Sequence, residues 1–191
     1  VDELELPLNH GIKFIFPNAP IRPVTINGGI PMPAWYDILE MDLDRKIDVP
    51  QIEESCKSVW KLVQREISSG ISPQKIILAG FSQGGAVAYH LNLRAQMDDY
   101  GRVKLGGVIA LSTYLPAPQL VNQIKPLAPI PHFVGHGNYD PVVPITLGEL
   151  AWETLKPLGI PCEVKLYPMD HSICVPEIEH IGAWLCGTLR L

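Results

Sequence analysis

The stretch Gly80-Phe81-Ser82-Gln83-Gly84 sets a serine between two glycines, directly after the apolar run Ile76-Ile77-Leu78-Ala79. A serine hydroxyl is a weak nucleophile at neutral pH until a base takes its proton. G-x-S-x-G between a strand and a helix supplies the geometry for that reaction. The chain reverses within about one residue, which strains the serine backbone and lifts its hydroxyl above the sheet. Glycines on either side let strand and helix approach. Gln83 follows the serine, and its backbone N–H is placed to donate to an oxyanion. The chemistry these residues suit is acyl transfer through a serine nucleophile.

Such a serine needs a base and an acid, in the chain order Ser, acid, His. Five histidines follow Ser82. His90 falls inside the helix after the serine, His132 inside a strand and His180 in the final helix. His136 reads as a loop residue whose imidazole braces a turn. His171, in Pro168-Met169-Asp170-His171-Ser172, lies between the last strand and the last helix and is the preferred base. Asp140, in Asn138-Tyr139-Asp140-Pro141-Val142-Val143-Pro144, is the preferred acid. Its flanking prolines stiffen the loop. Asp170 is the rival, but adjacent side chains usually diverge. The reading is Ser82 as nucleophile, His171 as general base and Asp140 as its orienting carboxylate. His132 and His136 are four apart but not on a helix, so no metal site is expected.

These residues need elements to hold them. Apolar runs at 12–16, 75–79, 108–111, 132–134 and 163–167 read as buried strands. Ile52, Cys56, Val59, Val63 and Ile67 recur at helical spacing, with Pro50 before and Gly70 after, so 50–69 reads as an amphipathic helix. Further helices are expected at 84–97, 145–157 and 176–189. Alternating strands and helices predict an α/β fold, a mainly parallel sheet with helices on both faces, in one domain over 1–191. Ligands bind such sheets beyond the C-terminal strand ends, where Ser82, Asp140 and His171 fall. Two proline-rich stretches, 17–47 and 112–130, read as loops walling the site. Trp35 on the first and Leu115 on the second are the expected substrate-pocket residues.

With 15 Lys and Arg against 20 Asp and Glu, the net charge is −5, and there is no basic tract. Nucleic acid is therefore not an expected partner. No apolar run reaches the ~18 residues of a membrane span. No signal peptide is visible, so the expected compartment is the cytoplasm. The four cysteines form no C-x-x-C pair and read as reduced, mostly buried thiols.

Taken together, the segments Phe16-Pro17-Asn18-Ala19-Pro20, Pro33-Ala34-Trp35-Tyr36-Asp37, Gly80-Phe81-Ser82-Gln83-Gly84-Gly85, Leu111-Ser112 with Leu115-Pro116, Gly135-His136-Gly137 with Asp140-Pro141-Val142-Val143-Pro144, and His171-Ser172 carry a resemblance. The chain resembles the phospholipase/carboxylesterase family of α/β-hydrolases, which includes bacterial carboxylesterases and acyl-protein thioesterases. The resemblance implies the α/β-hydrolase fold and a triad at Ser82, Asp140 and His171. It implies a small-molecule ester as substrate, with thioesters or lysophospholipids as further options, and no cofactor. Family members can dimerise over the active-site face, so a homodimer is open to this chain. The family also begins with a strand ending in an H-G-x-G-type turn, which carries a second oxyanion donor. No segment here matches it, so the expectation is an α/β-hydrolase domain lacking the N-terminal strands. The alternative function is a catalytically weak or inactive acyl-ligand-binding module.

Overall fold

The computed structural model describes residues 1–41, 45–124 and 129–191. Residues 42–44 of the first expected loop, and Pro126 of the second, lie outside the described residues. The chain forms two compact units, one of Val1–Phe14 with Ser72–Leu191 and one of Ile15–Ile71.

In the first unit four strands form one sheet: β3 (Ile77–Phe81), β4 (Gly107–Leu111), β5 (His132–Gly137) and β6 (Cys162–Tyr167), in the order β3-β4-β5-β6. All three pairings are parallel. The inner strands β4 and β5 are buried at every position. A strand covered on both faces reads as a continuous apolar run instead of an alternation, which is why these two stood out in the sequence. Each strand returns to the next through a crossover. Helices α2 (Gln83–Ala95), α3 (Ile145–Leu155) and α4 (Val175–Leu189) follow β3, β5 and β6.

Strand pleating separates the two faces. Ile109, Leu111 and Phe133 point one way and pack with Ile181 and Leu185 of α4, joined by Ile77, Phe81 and Trp184. The opposite face meets α2, whose Tyr89 stacks on His132 of β5. Helices therefore cover both faces. The helix after β5 runs over 145–155 and continues as a 3-10 turn to Leu158, close to the expected 145–157.

The second unit contains α1 (Val49–Ser68) and a hairpin, β1 (Ile21–Val24) and β2 (Ile30–Pro33). Asp48 caps α1, its carboxylate accepting from the Gln51 N–H at 2.9 Å. The buried stripe is Ile52, Ser55, Cys56, Trp60 and Val63, so Trp60 takes the place expected for Val59. Gln51 ties hairpin to helix, because its Oε1 accepts from Arg22 at 2.7 Å and from the Asp37 N–H at 2.9 Å. The hairpin corrects the reading of 17–47 as all loop. Pro23, Pro31 and Pro33 argued against strands, but a two-stranded hairpin is all edge, where a missing N–H is tolerated.

Two other expectations fail. Residues 12–16 pair with no strand among the described residues, and Phe16 is 75% exposed. An apolar run becomes a strand only where a ladder partner exists. The cysteines are free thiols, but only Cys56 is buried and the other three are half-buried.

One buried group sets a pH dependence for the fold. Glu177, in the first turn of α4, is fully buried, and neither carboxyl oxygen has a hydrogen-bond partner among the described residues. Its carboxyl lies against Gly135 of β5, where a side chain would strike it. Burial pushes its pKa from 4.5 up to about 7. The folded state keeps a proton that the unfolded state releases, so stability falls as pH rises from 4.5 towards 7 and levels off above. The expected loss is about 3 kcal/mol. Glu177→Gln removes this titration. Its melting temperature relative to the parent should climb between pH 5 and pH 8, followed by circular dichroism; a constant difference across that range would contradict the assignment.

Candidate active site

Strand β3 ends at Phe81 and helix α2 begins at Gln83, so Ser82 alone makes the turn. It does so at φ 54° and ψ −120°, a strained region for a residue with a side chain. Backbone bonds hold it there. The Ser82 N–H donates to the Leu111 carbonyl at 2.9 Å. The Ser82 carbonyl accepts from the Ala86 N–H at 3.1 Å and from the Thr113 hydroxyl at 2.7 Å. All three contacts use the serine's backbone, so the turn is fixed without engaging its hydroxyl. Gln83 opens α2, placing its N–H at the positive end of the helix beside the serine.

Gly80 shows how tight the reversal is. A Cβ there would fall 2.1 Å from the backbone carbon of Gly84. Gly80 of the motif is thus required by contact between the end of the strand and the first turn of the helix.

Asp140 and His171 meet over the same end of the sheet. Asp140 follows β5 and His171 lies between β6 and α4. His171 Nδ1 donates to Asp140 Oδ2 at 2.7 Å. The other carboxylate oxygen accepts from the N–H groups of Val142 and Val143, at 2.9 and 2.8 Å. The Asp140 side chain has no solvent exposure. Three donors replace the water it has lost, and bonds to an ionised acceptor are the stronger kind. The His171 ring packs on the Phe81 ring with centroids 4.7 Å apart. The imidazole therefore stands beside the residue that precedes Ser82.

The rival acid, Asp170, is exposed, and Asp140 is the carboxylate that reaches His171. His132 is in β5, buried, with Nδ1 on the Ile130 carbonyl at 2.7 Å, and burial pushes its pKa down to about 4. His180 pairs with the Tyr167 hydroxyl at 2.9 Å, and His90 is buried in α2. His136 departs from its expected place: it is a strand residue of β5, not a loop residue. The apolar run at 132–134 simply continues through Gly135-His136-Gly137, because small residues and a buried imidazole also fit an inner strand. Of the two expected pocket residues, Leu115 is buried in the first unit and Trp35 is half-buried in the second, where its carbonyl accepts from the Ser55 hydroxyl. Thr113 and Phe81 escaped the sequence reading as supports of the site. A threonine two residues past the end of β4 was the available signal for the first. Among the described residues no cluster of three His, Cys, Asp or Glu is set to hold a metal ion. No helix among them is long and apolar enough to cross a membrane.

A parallel sheet with helices on both faces, and a serine on the strained turn after a strand, define an α/β-hydrolase of the serine type. The chain belongs to the phospholipase/carboxylesterase family, whose sequence profile matches residues 3–188. It is 39% identical over 188 residues to acyl-protein thioesterase 1 of Neurospora crassa, covering 93% of this chain and 74% of that protein. It is also 39% identical to acyl-protein thioesterase 1 of Saccharomyces cerevisiae, covering 93% and 78%. Among solved structures it is similar to Arabidopsis thaliana SOBER1, at 30% identity and a TM-score of 0.88, over 98% of this chain and 89% of that one.

The contact at Gly80 is with backbone, which cannot rotate away. Gly80→Ala should therefore open the turn, destabilise the fold by ~3 kcal/mol or more and abolish esterase activity. Urea unfolding and p-nitrophenyl ester turnover would check both effects, and a variant with parent-like stability would show that the turn is looser than described.

Proposed function

We propose that this chain is a cytoplasmic serine hydrolase that cleaves carboxylic esters or thioesters of small to medium acyl chains, using Ser82, His171 and Asp140. The observation that carries the reading is the bond of His171 Nδ1 to Asp140 at 2.7 Å, on an imidazole packed against Phe81 next to the strained Ser82.

The steps follow from that arrangement. The proton on His171 Nδ1 is committed to Asp140, so Nε2 is the ring atom left to accept the Ser82 proton. The Ser82 oxygen attacks the acyl carbonyl and the carbonyl electron pair moves onto its oxygen. The N–H of Gln83 donates to that oxyanion. Collapse of the tetrahedral species breaks the bond to the leaving alcohol or thiol, which takes the proton from His171. A water then loses a proton to His171 and attacks the acyl-enzyme; collapse of the second tetrahedral species breaks the Ser82–acyl bond, Ser82 takes the proton back from His171 and the acid leaves. Asp140 stays ionised throughout and stabilises the imidazolium formed in each half.

Relatives named acyl-protein thioesterase support a thioester, with the acyl group carried on a protein cysteine, as the finer substrate. Leu115 is proposed to contact the acyl chain. The inactive acyl-binding module is not favoured, since named thioesterases match across more than nine-tenths of this chain.

A fluorophosphonate probe should label the protein at Ser82, and Ser82→Ala should remove both labelling and turnover of p-nitrophenyl butyrate. Asp140→Asn should lower kcat by ~10³–10⁴-fold. Turnover that survives Ser82→Ala would overturn the proposal.

A further inference from the structure

His136 is fully buried near the C-terminal end of β5, and both its ring nitrogens have a readable state. Nε2 lies 2.8 Å from the Val143 carbonyl. A carbonyl only accepts, so Nε2 carries a proton. Nδ1 has no hydrogen-bond partner among the described residues. Helix α3 crosses directly over it, since a Cβ at Gly148 would lie 2.7 Å from Nδ1. A second proton there would be buried and unpaired. Burial pushes the His136 pKa down, and the charged or titratable groups around it are Asp140, His171 and Glu149. The ring is therefore neutral, with its single proton on Nε2.

That proton is aimed at the loop carrying the proposed catalytic acid. Val143 is gripped at both ends: its carbonyl accepts from His136 and its N–H donates to Asp140 Oδ1 at 2.8 Å. Pro141 and Pro144 have no N–H, so Val142 and Val143 supply the amide donors of this stretch, and both go to Asp140. His136 Nε2 also stands 3.8 Å from Asp140 Oδ2, the oxygen that holds His171. One imidazole thus ties the acid loop to an inner strand and stands close to the carboxylate oxygen that holds His171.

We propose that His136 is a positioning residue for the Asp140–His171 pair, acting through its Nε2–H on Val143. This rests on the triad proposed above. It assigns His136 no contact with substrate and no proton transfer in the reaction.

The test uses the full chain with His136→Phe, which keeps a ring but deletes the donor, and His136→Gln, which keeps a donor at the ε position. The readouts are the low-field proton signal of the His171 Nδ1–H, assigned by its loss in Asp140→Asn, and kcat and KM on p-nitrophenyl butyrate. His136→Phe should lose or shift that signal and lower kcat ~10–100-fold with KM unchanged, the loss expected for one buried hydrogen bond. His136→Gln should recover both. A His136→Phe protein with the parent signal and kcat overturns the inference. So does equal loss in both variants in step with their melting temperatures, which marks mere packing. If neither variant folds, nitrogen NMR of the parent decides: a neutral Nε2–H ring supports the proposal, and an Nδ1–H or doubly protonated ring overturns it. Turnover in Ser82→Ala would remove the triad reading and this inference together. With Ser82→Ala inert, failure of the His136 arms removes this inference alone.

Discussion

A single residue carries the chain from strand β3 into helix α2, and the arrangement of the site depends on that reversal. Ser82 sits at a φ that L-residues avoid, at a cost of order 1–3 kcal/mol. The neighbouring strand meets that cost. Leu111 at the end of β4 accepts the serine N–H, and Thr113, two residues on, bonds its carbonyl. Each such bond contributes ~1 kcal/mol net. The close contact of Gly80 with Gly84 then leaves the backbone no room to relax. Strain and support are matched on adjacent strands, so the conformation exists only within the sheet.

The acid side of the site solves a different problem. A carboxylate with no exposed surface is stable only if its oxygens are bonded. Asp140 achieves this with two amides of its own loop and one imidazole. Glu177 is the contrast within the same fold. It is equally buried but has no such donors, and its pKa rises to about 7. The two acidic residues thus differ in their hydrogen bonding, because Asp140 faces a loop that turns its N–H groups inward and Glu177 faces the flank of a strand.

The parts of the fold legible in the sequence were those with strong local signals. Inner strands announced themselves as unbroken apolar runs, and the helices by their spacing and boundary residues. Ser82 stood in a motif whose first glycine, Gly80, has a steric explanation. Asp140 and His171 could be proposed because chain order and strand ends restrict where partners may stand. The rest depended on partners distant in sequence. The β1–β2 hairpin was hidden by its prolines, which an edge pairing tolerates. Residues 12–16 looked like a strand because apolar spacing does not report whether a neighbour is there to pair with. His136 read as a loop residue because flanking glycines suggest a turn, although in β5 they sit in a buried inner strand, Gly135 beside Glu177 and Gly137 beside the Met169–Asp170 backbone. The role of Thr113 could not be read at all, since its contact with Ser82 spans 31 residues.

That separation has a consequence for how the protein is made. The bond between Asp140 and His171 also spans 31 residues, and both groups follow parallel strands that must be in register before they meet. Parallel pairing is entropically slow to form, because long loops must close before any contact rewards them. None of the local elements can assemble the site on its own. A chain emerging during synthesis holds its serine long before its imidazole, and the imidazole finds its carboxylate only when β6 docks on β5. The proposed hydrolytic apparatus is in this sense a late product of folding, complete only once β6 has paired with β5.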